Sequence, residues 1–284
     1  MPYRIVQSKQ NARLKDLRKA LAHPGRNGSS LAGIEGPNLL EEALRAGLRV
    51  ACIFVAQGAE HLLDALPLSP ETEILLLPKA LLDSVLTTEA PQSVAALVEP
   101  PAWSWSDLLE GRGKTAPLIV ILAGLQDPGN LGTILRSAEA FGASGILTLP
   151  GTVSPWNPKT VRASAGSIFR LPLLAATAEE CFSRLRQSGI RIFSTALREA
   201  SPAHRADLTG PTALIIGNEG NGVPPELAAQ AEASITIPCP GPVESLNASV
   251  AAAVLLYEAS RQRSADNASR QAACSSILES RRKR

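Results

Sequence analysis

The second half of the chain alternates short apolar strands with helical segments, and this alternation restricts the possible fold more than any other feature. Strands are predicted at 118–122, 145–149, 192–196, 213–217 and 234–238, with helices between them. Apolar strands separated by helices are typical of a parallel sheet that is covered on both faces. The sequence therefore predicts an α/β fold with a parallel sheet from residue 117 onward. A final helix is predicted at 245–261, with Val250, Val254 and Tyr257 as its apolar face.

The first hundred residues predict a smaller α/β unit. A basic amphipathic helix over 11–21 places Leu14, Leu17 and Leu21 at helical spacing. Further helical segments are predicted at 37–46, 59–65 and 79–86, and strands at 51–55, 74–77 and 93–98. Residues 100–117 interrupt the periodicity and contain the Gly-Arg-Gly-Lys run at 111–114. We therefore expect a domain at 1–100, a linker at 101–116, a second domain at 117–263 and a disordered basic tail at 264–284.

Composition excludes several classes of protein. With 45% hydrophobic and 19% charged residues in 284, ordinary globular folding is expected, and collagenous or coiled-coil architectures are excluded. Aromatic residues make up only 4%, which disfavours a stacking platform for single-stranded nucleic acid. No run of apolar residues approaches the roughly 20 residues that span a bilayer, so a cytoplasmic protein without a membrane partner is expected. Four cysteines and three histidines are scattered without metal-ligand spacing, and no metal site is predicted.

The formal net charge of +2 conceals an uneven distribution of charge along the chain. Residues 1–30 carry seven Lys or Arg and one acidic residue, and residues 261–284 carry seven and two. Residues 31–110 carry three basic and twelve acidic residues. The two basic ends indicate a polyanionic partner such as nucleic acid. For the C-terminus, a solvated tail is an equally good interpretation.

Three loops that follow predicted strands combine small residues with polar side chains. They lie at 126–132 (QDPGNLG), 217–222 (GNEGNG) and 238–247 (PCPGPVESLN). Each loop alone is explained by turn chemistry, but parallel sheets bind ligands at the carboxyl ends of their strands, where all three are predicted. Neither a GxGxxG nor a GxxxxGK[ST] pattern is present at these positions, so a dinucleotide site and a P-loop are both disfavoured.

These loops carry a family resemblance. The run DPGNLGTILR at 127–136 resembles the first motif of the SpoU (TrmH-like) 2′-O-ribose RNA methyltransferases of the SPOUT class. The run IIGNEG at 215–220, followed by Gly222, resembles the second motif, and residues 237–249 resemble the third. Residues 161–167 also resemble a family segment, and residues 1–100 are similar to the L30e-like substrate-binding domain of many members.

The resemblance implies a sheet whose C-terminal part forms a deep trefoil knot, and a homodimer with the final helix near its interface. It also implies S-adenosylmethionine as the cofactor, bound through backbone groups at positions that match Gly217, Ile237 and Leu246. We expect Gly217 to adopt a positive φ, so that any side chain there would interfere with the cofactor.

The resemblance also assigns catalytic roles. Arg136 engages and activates the ribose hydroxyl, and Asn130 orients the substrate or the arginine. Because an arginine is a poor base, with a pKa above about 12, electrostatic support of a developing alkoxide is the preferred description. The remaining expected catalytic residues are Glu219, which fixes the motif geometry beside the guanidinium, and the polar pair Ser245 and Asn247. Alternatively, Arg136 pairs on a helix surface and Ser245 is a helix N-cap.

Basic residues predict where RNA binds. The candidates are Arg13, Lys15, Arg18, Lys19 and Arg162. The leading hypothesis is an S-adenosylmethionine-dependent 2′-O-ribose methyltransferase of structured RNA, with 23S ribosomal RNA as the preferred substrate. Transfer RNA is the alternative substrate. A non-catalytic RNA-binding or ribosome-assembly protein on the same fold is the alternative function.

Overall fold

A computed structural model of the chain describes residues 3–22, 31–88, 90–111 and 115–282, with side chains described as far as residue 266. Residues 112–114 of the Gly-Arg-Gly-Lys run in the expected linker lie outside the described residues. The chain forms two compact units. The first comprises Met1–Ala102, Asp127–Arg136 and Val153–Arg170, and the second comprises Trp103–Gln126, Ser137–Thr152 and Leu171–Arg284.

The first unit contains a mixed sheet of five strands. In spatial order they are β1 (Arg4–Ile5), β4 (Glu73–Leu77), β3 (Val50–Ala56), β5 (Val94–Val98) and β2 (Ala32–Glu35). Strand β4 runs parallel to both β1 and β3, whereas β5 is antiparallel to both β3 and β2. The three predicted strands of this region are confirmed. Strands β1 and β2 were not predicted, because they are short and are defined by pairing with distant segments of the chain.

Three helices and one 3-10 turn accompany this sheet. They are α1 (Ala12–Ala22), α2 (Pro37–Arg45), the 3-10 turn Glu60–Leu63 and α3 (Lys79–Asp83). Leu14, Leu17 and Leu21 of α1 are buried, as the helical spacing predicts. A Cβ on Gly33 of β2 would lie 2.9 Å from the side chain of Leu21, so the glycine allows α1 to pack closely on the sheet.

The second unit contains a sheet of seven strands that are all parallel. Their order is β10 (Ser201–Pro202), β12 (Ala233–Thr236), β9 (Arg191–Thr195), β11 (Thr212–Ile216), β6 (Leu118–Leu122), β7 (Gly145–Thr148) and β8 (Leu173–Ala175). All five predicted strands are confirmed within two residues of their predicted ends. The two strands that were not predicted, β8 and β10, are the short strands at the edges of the sheet.

The segment that we expected to be a linker carries a helix of the second unit. Helix α4 (Trp105–Leu109) begins at a capping box in which the Ser104 side chain and Asp107 bond each other's backbone N–H groups. Leu108 is fully buried in the same core as Cys181 and Phe182 of α7 (Ala178–Gln187). The capping box explains why a helix forms in a segment that lacks a long periodic pattern.

The remaining helices are α5 (Pro128–Ala140), α6 (Pro158–Ala163), α8 (Pro225–Ala228) and α9 (Ala248–Arg282). Helix α9 corrects the predicted apolar face. Val250, Val254 and Tyr257 are 48%, 40% and 55% exposed. The buried positions are instead Ala252, Leu255, Leu256 and Ala259. Both sets have helical spacing, so periodicity alone could not choose between them.

The backbone of α9 continues as a helix to Arg282, beyond residue 263, where disorder was expected. Residues 264–282 contain neither glycine nor proline, and they include four alanines and three arginines, which are good helix formers. Arg263 links this helix by hydrogen bonds to the segments that precede strands β6 and β11. Its guanidinium donates hydrogen bonds to the backbone carbonyls of Ala116, Pro117, Leu208 and Gly210 at 2.5–3.1 Å. Burial lowers the pKa of Arg263 to about 10.

Candidate active site

The loops after β6, β11 and β12 lie at one edge of the second unit's sheet. Strands β6 and β11 are parallel neighbours, and β9 separates β11 from β12 in the same parallel sheet. Their carboxyl ends therefore face the same way, which is where such sheets bind ligands. Gly217, Glu219, Ile237, Ser245 and Leu246 all come from these loops.

Asn218 organises the loop after β11. Its backbone N–H and C=O exchange hydrogen bonds with those of Gly222, both at 2.9 Å. Its side-chain oxygen accepts hydrogen bonds from the backbone N–H groups of Gly220 and Asn221, at 2.8 and 3.3 Å. Its Nδ2 donates to the carbonyl of Gly124 at 2.9 Å, which links this loop to the loop after β6. Sequence reasoning did not single out Asn218, although an asparagine in a glycine-rich loop is a typical turn signal.

Gly217 is required by a close approach of the chain to itself. A Cβ at Gly217 would lie 2.0 Å from the carbonyl carbon of Gly222 and 2.3 Å from the backbone nitrogen of Val223. The expectation of a positive φ at Gly217 is wrong, because the glycine with positive φ in this loop is Gly222, at 68°. Gly217 is therefore needed for the closure of this loop, whether or not a ligand contacts it.

Glu219 braces the start of the first-motif loop. One of its carboxylate oxygens accepts a hydrogen bond from the backbone N–H of Gln126 at 3.2 Å. The contact joins the loop after β11 to the loop after β6, within the second unit. Such a contact agrees with a role in fixing motif geometry, and the catalytic assignment of Glu219 stays a prediction.

The third motif ends at the start of α9, and Asn247 caps this helix. Its Oδ1 accepts hydrogen bonds from the backbone N–H groups of Ser249 and Val250, at 2.9 and 3.3 Å, and from the Ser249 hydroxyl at 2.7 Å. The alternative interpretation of Ser245 as the N-cap is therefore wrong. Ser245 is exposed, and its hydroxyl makes no hydrogen bond with the residues that the structure describes. Ile237 and Leu246 are half-buried and supply apolar surface at this edge.

In the first unit, Asp127 fixes the start of α5. Its Oδ1 accepts a hydrogen bond from the backbone N–H of Asn130 at 2.8 Å, and Lys159 approaches its Oδ2 at 3.0 Å. These two contacts, the backbone hydrogen bond first, lower the pKa of Asp127. Helix α5 therefore begins at Pro128, directly after this aspartate. An aspartate N-cap followed by proline at the first helical position was the signal that could have located this start.

Gly132 brings α5 and α6 into backbone contact. A Cβ at Gly132 would lie 2.5 Å from both the Cβ of Ala163 and the carbonyl oxygen of Thr160. One turn further along α5, Arg136 is exposed and has no hydrogen-bond or ion-pair partner among the described residues. Asn130 is half-buried in the first turn of the same helix. The structure thus builds the start of α5 rigidly and leaves the guanidinium of Arg136 available.

The predicted RNA-binding residues fall into two groups. Arg13 donates a hydrogen bond from Nε to a carboxylate oxygen of Glu73 at 2.9 Å, and this contact raises the pKa of Arg13. In contrast, Lys15, Arg18 and Lys19 on α1 and Arg162 on α6 are exposed, and none forms an ion pair with an acidic residue within the described ranges. No helix in the described part of the chain is long and apolar enough to cross a membrane.

Comparison with known proteins agrees with these features. The SpoU rRNA Methylase family model matches residues 117–257, and the MRM3-like substrate binding domain matches residues 11–96. A relative from Bacillus subtilis, 23S rRNA (guanosine(2553)-2'-O)-methyltransferase RlmP, is 33% identical over 254 residues, covering 89% of this chain and 97% of the relative.

Two solved structures with bound AdoMet are also similar. The SpoU methyltransferase AviRb from Streptomyces viridochromogenes has a TM-score of 0.78 at 30% identity, covering 89% of this chain and 98% of its own. An rRNA methyltransferase from Sinorhizobium meliloti has a TM-score of 0.79 at 31% identity, covering 91% of this chain and 98% of its own. The α/β class with a parallel sheet and the family resemblance are confirmed. The chain belongs to the SpoU rRNA methylase family.

Proposed function

We propose that this protein is an S-adenosylmethionine-dependent 2′-O-ribose methyltransferase whose substrate is 23S ribosomal RNA. The observation that carries the proposal is the exposed guanidinium of Arg136, which has no partner among the described residues, on a helix whose first turns are fixed by Asp127 and Gly132. The name of the Bacillus subtilis relative supports the substrate and the position of methylation. The AdoMet-bound structures of two relatives support the cofactor.

The residues at the carboxyl edge of the second sheet fit such a cofactor. Ile237 and Leu246 offer half-buried apolar surface for an adenine ring, and the tightly closed loop at 217–222 offers backbone groups for polar atoms. When bound, the cofactor supplies an electrophilic methyl group on a sulfonium. We assign Gly217, Ile237 and Leu246 to its site, with Gly217 acting through the shape of its loop.

In the proposed reaction the ribose 2′-oxygen forms a bond to the methyl carbon as the bond from that carbon to sulfur breaks, and the hydroxyl proton is lost to solvent. Arg136 stabilises the negative charge that develops on the 2′-oxygen, because a positioned guanidinium stabilises a developing alkoxide electrostatically. Its planar fork is also suited to the adjacent phosphate, which would hold the nucleotide in line. Asn130, in the first turn of the same helix, is assigned to orienting the substrate.

The residues of the second and third motifs act mainly by positioning. Glu219 holds the start of the first-motif loop through Gln126, and Asn247 caps α9 and so fixes the segment that carries Leu246. Ser245 has a free hydroxyl among the described residues, and we assign it to a polar contact with substrate or cofactor.

We propose that RNA binds the basic face of the first unit. Lys15, Arg18 and Lys19 project from α1 as exposed cations that can release counterions when they meet phosphates. Arg162 offers a fourth such group on α6. Arg13 contributes less, because it is held by Glu73. A transfer RNA substrate and a purely RNA-binding role are the alternatives, and methylation of both RNAs side by side distinguishes them.

The family also suggests a trefoil knot, an L30e-like fold at 1–100, cytoplasmic location and a homodimer, and we propose all four. The domain limits 1–100 and 117–263 are proposed with them. The dimer has its own support in the exposed stripe Val250, Val254 and Tyr257 on α9. Phe141 packs its ring edge-on against Tyr257, with 5.8 Å between ring centroids, which extends this apolar surface. A contiguous exposed apolar stripe is typical of a surface that another protein covers.

Replacing Arg136 by alanine tests the function and the mechanism together. Single-turnover methylation of transcribed 23S and transfer RNA with labelled cofactor should fall about 10²–10⁴-fold, whereas cofactor affinity stays close to the parent value. Arg136→Lys should recover only part of the rate, because an ammonium lacks the planar fork. Arg205→Ala, which removes another exposed arginine, serves as the control. Methylation of a base instead of a ribose, or an Arg136→Ala protein of parent speed, would overturn the mechanism.

A further inference from the structure

Residues 153–170 belong to the first unit and contact helix α2 there. Arg170 donates a hydrogen bond from its guanidinium to a carboxylate oxygen of Glu42 at 2.5 Å. Gly166 lies against the same residue, since a Cβ at Gly166 would be 2.7 Å from the Cβ of Glu42. Helix α6, within this segment, also packs on strand β2. The segment is therefore attached to the region that matches the substrate-binding domain.

The turn that reaches Glu42 has an unusual backbone. Ala165 and Gly166 have consecutive positive φ values of 48° and 89°. The left-handed conformation is unfavourable for a residue that has a side chain. Ala165 itself is exposed, so the packing of its buried neighbours Ser164 and Gly166, at the point where the turn meets α2, must compensate for this cost.

The N-terminal half of segment 153–170 contacts the start of α5. Lys159 pairs with the N-cap Asp127 at 3.0 Å, and the backbone of α6 at Thr160 lies close enough to exclude any side chain at Gly132. The same short segment thus contacts the substrate-binding region through Glu42 and the first turns of the helix that carries Arg136.

We propose that residues 153–170 act as an adapter that sets the position of the catalytic helix relative to RNA held by the substrate-binding region, with Glu42 and Arg170 as its positioning residues. The proposal rests on the proposed methyl transfer to RNA. Glu42 and Arg170 are 27% and 34% exposed, and an ion pair so exposed contributes little to folding stability. Its effect is therefore expected in the alignment of the reacting groups, where small displacements reduce rates strongly.

Charge reversal on each side of this contact, and on both sides together, tests the adapter. Glu42→Arg and Arg170→Glu should each lower the single-turnover rate at saturating RNA and cofactor by about tenfold or more. The double variant restores opposite charges and should return to within about threefold of the parent rate. The matched control is Glu41→Arg, because Glu41 lies on the same helix and pairs with Arg45 but not with Arg170. It should stay within about twofold of the parent.

RNA affinity should change little in all four variants, since the cations of α1 are untouched, so the loss falls on the rate and not on binding. Single variants of parent speed, or a double variant no faster than the slower single variant, would overturn the proposal. If the parent protein itself methylates no RNA, the proposed function fails, and hydrogen exchange then decides about the adapter. Faster exchange of the amides at 128–136 in Arg170→Glu, reversed in the double variant, would support it, and unchanged exchange would refute it.

Discussion

Replacing Gly217 by alanine separates two explanations for a glycine at the end of β11. In one, the missing side chain makes room for the cofactor. In the other, it makes room for the chain itself, because a Cβ added at this position would lie only 2.0 Å from the carbonyl carbon of Gly222. The second explanation predicts that Gly217→Ala lowers folding stability even without any cofactor.

The size of the effect follows from the contacts that would have to open. Ordinary contact begins near 3.4 Å, so the backbone at Gly222 must move by about 1.4 Å (3.4 minus 2.0) to accept the methyl group. Such a movement breaks the two 2.9 Å hydrogen bonds between Asn218 and Gly222. Two such bonds contribute about 1–3 kcal/mol to the free energy of unfolding. The change from glycine to alanine adds about 0.4–1 kcal/mol to it, because alanine restricts the unfolded chain. A net loss of about 1–2 kcal/mol in the free energy of unfolding is expected.

Urea unfolding of the cofactor-free protein measures this loss, and calorimetric titration measures cofactor affinity. The control is Gly220→Ala in the same loop, where the nearest atom to a new Cβ is the Asn218 side-chain oxygen at 3.5 Å. This control should remain within about 0.5 kcal/mol of the parent. Parent-like stability of Gly217→Ala would refute the loop-closure explanation, and if cofactor binding were lost at the same time, the glycine would be shown to face the cofactor.

Three further predictions concern other parts of the molecule. Gly132→Ala should lower the free energy of unfolding by about 1–2 kcal/mol, because the clash with α6 exceeds the roughly 1 kcal/mol that alanine adds to helix stability. Urea titration measures this loss against the control Gly241→Ala, where a new Cβ would meet no atom within 4 Å. Asp127 has a lowered pKa when folded, so its contribution is complete above its ordinary value of 3.8 and is lost as the pH falls through the folded pKa. Asp127→Asn should therefore reduce the dependence of stability on pH in that acid range, measured by thermal unfolding. Tyr257→Glu should convert the proposed dimer to a monomer, measured by light scattering, and an unchanged mass would exclude this stripe as the interface.

The sequence predicted the central strands well because their signal is local. Strand β6 is a run of five apolar residues that are all buried, and its neighbour β11 also has five buried residues, of which four are apolar. The edge strand β10 has two residues, Ser201 and Pro202, and only its pairing with β12 makes it a strand. Such pairing depends on segments more than 30 residues apart, as with Ser201 and Ile235, and no local pattern encodes it.

Helix α9 shows a different limit of sequence reasoning. The residues Val250, Val254 and Tyr257 have the spacing of a core face, but the structure buries the strip that contains Leu255 and Leu256. A helix with two apolar strips packs one strip against the core of its own chain and leaves the other for a second surface. The face chosen for the core is the one whose small residues, Ala252 and Ala259, allow the helix to approach the rest of the unit. Neighbouring elements therefore decide the orientation, and the prediction had no access to them.

The motif residues themselves divide into two physical classes that a sequence cannot distinguish. Asn218 and Asn247 have the polar side chains expected of ligand contacts, yet the side-chain oxygens of both accept hydrogen bonds from backbone N–H groups of their own loop or helix. Arg136 and Ser245 have no such partner among the described residues. Because exposed polar groups without an internal partner are the ones that can bind substrate at no cost to the fold, chemistry is best sought at Arg136 and Ser245. Substitutions at Asn218 and Asn247 should instead act through stability and loop shape, so a loss of activity there would not identify a catalytic group.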